Sequence, residues 1–416
     1  MEYSCPVHGT WNIVHIGMLV PQAHQIFVCG ESCLRGVVLT AAEMGARERF
    51  STVDVQEHDF LEGTMEQLVI DGVNDVLRKL PYKPPAVLVF TACMHEFAGC
   101  DYGYIYGELR KVHPGIDFAE CYMYPIMDDT KTPSDPMLRR RMYELIHTSP
   151  ERDGGINIVG NLFKIDSGSE LMEAIRSSGR IFRDITGMKT YAEFQTMGKS
   201  SFSMALHPAA SEALTVLCRR LDQQPLYIPA SYDPAVIRKN MRTVCSALSV
   251  PLPDLDRFEA AADAALERAR DRLAGWTLAL DYTASTAPLS LAKLLLEHGF
   301  ALKKIFIDKI TEPAEAGWIR SGHPEVEFLP VVQPRMVFYA PVHERHYTEN
   351  VLCIGEKAAY FMHSNHFVIL MEDGDLYGFG GIARLADMMI AAAETDKDTR
   401  TIVQQKGWGA GNETDL

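Results

Sequence analysis

The chain has 416 residues, of which 47% are hydrophobic and 23% are charged, and its net charge is −15. This hydrophobic fraction can build folded cores, so the composition excludes a chain that is disordered throughout. Acidic residues outnumber basic residues, 55 to 40, which argues against a general nucleic-acid-binding protein. No apolar run is long enough for a membrane-spanning helix, and residues 1–5 lack the features of a signal peptide, so we expect a cytoplasmic protein.

Short apolar runs alternate along the chain with amphipathic stretches, which predicts strands and helices that follow one another. The apolar runs predict buried strands, in chain order, at 25–28, 86–90, 156–160, 203–206, 225–228, 277–280, 304–307 and 366–370. Helical patterns occupy 64–80, 137–146, 169–177, 210–221, 234–248, 289–298 and 381–393. The alternation predicts an α/β protein built from doubly wound, Rossmann-like parallel sheets.

Two breaks in this alternation predict three α/β domains. A polar, turn-rich segment at 147–155 ends the first domain, which we place at 1–150. A helical segment at 254–274, rich in alanine, glutamate and arginine, is predicted to be a connecting helix between the second and third domains and is counted with the second. We therefore place the second domain at 151–274 and the third at 275–416.

The nine cysteines are an odd number for a chain without a secretion signal, so a full disulfide framework is a poor explanation for them. Cys33 follows the apolar run 25–28, and Cys93 directly follows the run 86–90. Both fall at the carboxyl ends of predicted strands, where open parallel sheets bind ligands. Thiolates are soft ligands that suit iron–sulfur clusters, and Cys5 is a third candidate. The wide separation of these three cysteines along the sequence excludes a zinc ribbon, but it allows the three loops that carry them to converge on one cluster.

Residues 91–99, TACMHEFAG, resemble the Cys-Met-x-Glu-x-x-Gly motif of the nitrogenase component 1 family, in the form typical of its β-type subunit. Residues 30–33, GESC, resemble the glycine-rich turn that carries another cluster cysteine, and Cys5 stands where the first is expected. Further segments resemble family counterparts in the same order, at 56–63, 280–282, 289–299 and 376–381. The resemblance covers most of the chain.

The resemblance implies a β-type subunit of a nitrogenase-like reductase that holds part of an electron-relay cluster. Cys5, Cys33 and Cys93 would bind an iron–sulfur cluster, either of the eight-iron P-cluster type or 4Fe–4S. Cys29 and Cys100 are secondary candidates because they stand close to these ligands. A catalytic α-type partner would supply the other ligands in a heterotetramer. An ATP-dependent iron protein would supply electrons, since this chain has no Walker A sequence.

Departures from the family pattern indicate that the catalytic site lies on the partner chain. Pro208 stands where catalytic subunits have the cysteine that holds the active-site cofactor, and the Met-His-Ser sequence at 362–364 precedes the position of the family's cofactor histidine. The chain is also shorter than a conventional nitrogenase β subunit. Among nitrogenase-like enzymes, methylthio-alkane reductases, which cleave C–S bonds reductively, fit such a chain best.

Three other functions remain open from the sequence. A tetrapyrrole reductase would need a substrate pocket in place of the metal cofactor, and a scaffold would assemble a cluster for another enzyme. A cluster-free α/β protein would use its cysteines only for packing. Cys121 ends a strand-like run and is ambiguous, whereas Cys218, Cys245 and Cys353 fall in core patterns.

Overall fold

The computed structural model describes residues 5, 7, 12–123, 133–339 and 350–403. Within these ranges, thirteen strands form three sheets, and all strand pairs in the sheets are parallel. The predicted α/β class with parallel sheets is confirmed. No helix in the described ranges is long and apolar enough to cross a membrane.

The first sheet consists of His24–Cys29 (β1), Phe50–Asp54 (β2), Ala86–Ala92 (β3) and Asp117–Met123 (β4). Their order in the sheet is β2-β1-β3-β4. The accompanying helices are Ile13–Met18 (α1), Glu31–Glu43 (α2), Glu57–Leu61 (α3), Met65–Lys79 (α4), Cys93–Phe97 (α5), Tyr102–Val112 (α6) and Ser134–Glu144 (α7). The central strands β1 and β3 are buried along their whole length, because apolar cores cover both faces of the sheet.

The second sheet consists of Ile156–Ile158 (β5), Phe182–Asp184 (β6), Phe202–Ala205 (β7) and Gln224–Tyr227 (β8). Their order is β6-β5-β7-β8. The helices that intervene in the chain are Glu170–Ser177 (α8), Tyr191–Gln195 (α9) and Ser211–Leu221 (α10).

The third sheet consists of Thr277–Asp281 (β9), Leu302–Phe306 (β10), Glu327–Leu329 (β11), Val351–Ile354 (β12) and His366–Val368 (β13). Helices in this part of the chain are Pro234–Leu248 (α11), Leu255–Arg272 (α12), Pro288–Glu297 (α13), Pro313–Gly322 (α14), Glu356–Met362 (α15) and Gly378–Glu394 (α16). The strand order is β11-β10-β9-β12-β13, so the topological switch point lies between β9 and β12. The helix predicted at 254–274 is present as α12 and packs against α16.

The described chain groups into two compact units. One, the two-sheet unit, contains the first and second sheets. The other, the single-sheet unit, contains the third sheet together with Cys5, α8 and α11 to α16. Helix α8 belongs to the latter because Glu170, its first residue, accepts hydrogen bonds from the backbone N–H groups of Phe379 (2.7 Å) and Gly380 (3.1 Å). The division into three domains remains a prediction from the sequence.

A buried histidine stands at the start of β1. The Nδ1 atom of His24 lies 2.8 Å from the hydroxyl of Tyr82, and its Nε2 atom lies 2.8 Å from the hydroxyl of Ser51. Tyr82 donates its own hydrogen to the Glu48 carbonyl at 2.7 Å, so the His24 ring donates from Nδ1 and accepts at Nε2. Burial, reinforced by the charge of Arg49, lowers the pKa of His24 to about 4.

We predict that His24 makes the fold sensitive to acid. Histidine in the unfolded chain has a pKa of about 6.5, so the unfolded state binds more protons than the folded state between about pH 6.5 and 4. The free energy of unfolding therefore falls by up to about 3 kcal/mol as the pH drops through this window. In urea titrations His24→Asn should flatten this pH dependence, whereas His58→Asn, at an exposed position, should not. Equal slopes in wild type and His24→Asn would contradict the assignment.

Candidate metal centre

Two of the predicted ligands, Cys33 and Cys93, lie at the carboxyl edge of the first sheet. The adjacent parallel strands β1 and β3 pair with Val28 opposite Thr91. β1 ends at Cys29, and α2 begins two residues later, whereas β3 runs directly into α5, whose first residue is Cys93. The two cysteines therefore follow neighbouring strand ends.

Cys33 lies in the first turn of α2, where the sequence pattern indicated a loop. Its backbone N–H donates to the Gly30 carbonyl at 2.9 Å, and its side chain is exposed. A Cβ atom at Gly30 would lie 3.3 Å from the Cε atom of Met94, the residue after Cys93. The glycine therefore allows the start of α2 to approach the start of α5 closely.

The Cys93 thiol is half-buried beside the end of β4. Its Sγ atom lies 3.7 Å from the backbone carbonyl oxygen of Met123, to which it donates a weak hydrogen bond. Ala92 pairs with Met123 across the sheet, which sets this distance. The thiol is thus held by the ends of two strands.

His95 is fully buried in the same short helix. Its Nδ1 atom lies 3.3 Å from both the backbone nitrogen and the backbone oxygen of Ala92. Its Nε2 atom has no hydrogen-bond partner within the part of the chain that the structure describes. Burial lowers the pKa of His95 to about 4, so the ring is neutral near pH 7. Buried polar atoms are usually hydrogen-bonded, so this nitrogen can still take a hydrogen-bond partner.

The third predicted ligand, Cys5, belongs to the single-sheet unit and is half-buried. It packs, with Tyr282 and Met362, against an apolar cluster that contains residues of the third sheet and of α15. Burial raises the pKa of the Cys5 thiol to about 11, although a backbone hydrogen bond from Val7 and the charge of Lys357 oppose the rise. The predicted ligands are therefore divided between the two units.

The buried carboxylate of Asp281 lies at the end of β9, near Cys5, and binds the backbone of the neighbouring segments. It accepts hydrogen bonds from the hydroxyl and the backbone N–H (2.9 Å) of Thr283 and from the backbone N–H of Ala358 (2.7 Å), in the first turn of α15. Gly355, which joins β12 to α15, has φ +99°, and a Cβ atom there would overlap this carboxylate. Asp281 therefore ties β9 to α15 across the switch point.

The other cysteines are free thiols in varied surroundings. Cys29 is fully buried, and burial raises its pKa to about 12. Cys100 is half-buried, and burial with the charge of Glu66 raises its pKa to about 11. The remaining four are buried: Cys121, Cys218, Cys245 and Cys353. Across the described ranges, no three His, Cys, Asp or Glu side chains converge as a group that could hold a metal ion.

Pro208, at the position of the cofactor cysteine of catalytic subunits, and His363, which precedes the position of their cofactor histidine, have local structural roles here. Pro208 begins a short 3-10 turn after β7, and the ring of His207 accepts a hydrogen bond from the Ala209 N–H at 3.1 Å. His363 ends α15 in the left-handed conformation, with φ +52°.

Comparisons with known proteins agree with this architecture. The chain matches the family model of nitrogenase component 1 type oxidoreductases over residues 5–394. It is similar to the solved structure described as nitrogenase Cp1 at pH 6.5, with a TM-score of 0.66 and 14% identity over 95% of this chain and 94% of that chain. It is also similar to nitrogenase Cp1 at pH 5, with a TM-score of 0.53 and 12% identity over 93% and 88% of the two chains. No curated protein sequence matches significantly.

We predict that Asp281→Ala lowers the free energy of unfolding by about 1–3 kcal/mol, because buried backbone N–H groups of Thr283 and Ala358 lose their acceptor. Chemical unfolding monitored by circular dichroism measures the change. The control Asp271→Ala removes an exposed carboxylate and should leave stability close to wild type. Equal effects of the two substitutions would refute the role given to Asp281.

Proposed function

Because the chain belongs to the nitrogenase component 1 family of oxidoreductases, we propose that it is a β-type, electron-relay subunit of a nitrogenase-like reductase. The observation that carries this proposal is the placement of Cys33 and Cys93 after neighbouring strand ends at one sheet edge. Members of the family generally bind iron–sulfur clusters and work with partner subunits and an iron protein. We infer that this chain does so in the cytoplasm.

The residues present fit an iron–sulfur cluster by the chemistry of their donors. Cys5, Cys33 and Cys93 are free thiols, and thiolates are the protein ligands that such clusters require. In the tautomer whose Nδ1 atom accepts from the Ala92 N–H, the Nε2 atom of His95 carries a hydrogen that has no acceptor in the described ranges, and hydrogen bonds of this kind to cluster sulfur tune such sites. When bound, the cluster supplies one-electron redox chemistry.

The chain's own residues hold the thiols for this role. The pairing of β1 with β3 fixes where α2 and α5 begin, and hence the backbone positions of Cys33 and Cys93. Cys33 lies in the first turn of α2, where backbone N–H groups carry partial positive charge, so a negatively charged cluster would be favoured there. Cys93 would hold a cluster as a thiolate, and a thiolate would no longer donate the hydrogen bond to the Met123 carbonyl oxygen.

We further propose that the catalytic α-type subunit binds the substrate and that reductive C–S cleavage of methylthio-alkanes is the reaction served. The proline at position 208, where catalytic subunits have a cofactor cysteine, supports placing the substrate on the partner subunit. In this scheme an ATP-dependent iron protein reduces the heterotetramer. This chain then passes electrons to the partner and binds no substrate itself.

We predict that Cys33→Ala and Cys93→Ala each lower the iron content of the anaerobically purified complex by half or more, because each removes a cluster ligand. The chain should be co-expressed with the products of neighbouring genes, and iron and acid-labile sulfide should be measured per heterotetramer. Cys218→Ala, which removes a buried thiol in α10, is the matched control and should retain its iron.

Two results would contradict the proposed function. One is a wild-type complex that contains no iron under anaerobic conditions. The other is a chain that purifies as a homodimer although the neighbouring gene products are present.

A further inference from the structure

Residues near the two ends of the described chain pair with each other in the single-sheet unit. Val7, two residues after Cys5, forms an antiparallel β-bridge with Val403, and this is the only bridge outside the three sheets in the described ranges. Val7 is buried, with 3% of its surface exposed, and Ile402, which precedes Val403, is buried as well. The segment that carries Cys5 is therefore joined to residues that follow α16.

We name residues 399–403 the C-terminal strap. The strap contains a 3-10 turn, Thr399–Ile402, which packs against α15. The buried hydroxyl of Thr399 donates a hydrogen bond to the carbonyl of Ser364 at 2.8 Å, and the Thr399 N–H donates to the Oδ1 atom of Asn365 at 3.1 Å. Because Ser364 and Asn365 lie between α15 and β13 in the chain, these bonds fasten the strap to the third sheet.

The Cys5 segment depends on the strap for its only pairing in the described ranges. Neither Cys5 nor Val7 lies in a helix or in a strand of a sheet. Val7 and Ile402 belong to one apolar cluster, against which Cys5 and Val403 also pack. A single bridge between two short segments opens at a lower free-energy cost than the strands of a sheet. Opening of the strap would therefore free the Cys5 segment while the third sheet stays folded.

We propose that the C-terminal strap positions Cys5, and that its opening controls access to the Cys5 thiol. The inference rests on the proposed function, because it takes Cys5 as a cluster ligand. The closed strap holds the Cys5 segment against the apolar cluster, which fixes where the thiol is presented. The open strap releases the segment, so the thiol becomes accessible to reagents and a bound cluster loses one of its ligands.

The experiment measures how fast iodoacetamide alkylates Cys5 in the full-length, metal-free chain, with mass spectrometry of the peptide that carries each cysteine. Thr399→Val keeps the size of the side chain but removes the hydroxyl that donates to Ser364. It should raise the alkylation rate of Cys5 by about fivefold or more, because strap closure loses a buried hydrogen bond. Thr399→Ser, which keeps the hydroxyl, should stay close to wild type.

Thr395→Val is the matched control, because Thr395 is exposed and precedes the strap. Two cysteines serve as controls within every sample. Exposed Cys33 should be alkylated at the same rate in all variants, whereas Cys353, buried in β12, should stay unmodified. Val403→Ala shortens an apolar side chain of the strap, and it replaces Thr399→Val if that variant does not fold.

The anaerobic complex tests the link to the cluster. Thr399→Val should speed the loss of iron to a chelator, because a strap that opens more often releases Cys5 from the cluster more often. Faster alkylation of Cys5 without faster iron loss would overturn the inference, whereas the proposed function would survive through Cys33 and Cys93.

Two results of the alkylation experiment would also overturn the inference. One is an equal alkylation rate of Cys5 in wild type, Thr399→Val and Val403→Ala. The other is parallel alkylation of Cys5 and Cys353 in both variants, because the whole sheet would then open together. A wild-type complex without iron would instead overturn the proposed function, since the alkylation of Cys5 is measured without metal.

Discussion

The candidate site depends on the parallel pairing of β1 with β3. The rings of Phe27 and Phe90, which are paired in this register, stack with their centroids 4.2 Å apart inside the apolar core. Both strands are buried on both faces. A slip of one residue would turn the side chains of the slipped strand from one apolar core to the other and disrupt the packing of both cores, which fixes the register. The same register makes the strands end side by side. Cys33 and Cys93 then follow at the first turns of the next two helices.

The same arrangement of a carboxylate, a helix start and a glycine occurs twice in the single-sheet unit. A buried carboxylate accepts hydrogen bonds from the first turn of a helix, and a glycine with positive φ lets the chain pass close to that carboxylate. Asp281 and Gly355 do this at α15, and Glu170 and Gly378 do it at α16. The carboxylates supply the negative charge that helix N-termini favour.

Much of the fold was predictable because long buried strands and amphipathic helices have strong sequence patterns. The run at 86–90 is confirmed as part of β3, and the pattern at 254–274 as α12. The sequence does not predict the edge strands β6 and β11, because these short segments contain charged residues and form no continuous apolar run. The GESC sequence resembles a turn and predicts a loop at Cys33, but in the structure α2 begins there, because a glycine N-cap followed by glutamate is also a helix start.

The electrostatic part of the site could not be predicted from local sequence. Asp281 and Ala358 are 77 residues apart, and Glu170 and Phe379 are 209 apart, so no periodicity connects them. The sequence shows His95 only as a histidine two residues after Cys93. Its burial, and the lack of a hydrogen-bond partner for its Nε2 atom among the described residues, follow from the packing.

Anomalous X-ray diffraction at the iron edge, from crystals of the anaerobic complex, tests the central claim most directly. The account predicts iron within bonding distance of the Sγ atoms of both Cys33 and Cys93, at the carboxyl edge of the first sheet. Iron bound elsewhere on the chain, with both of these thiols unligated, would contradict it.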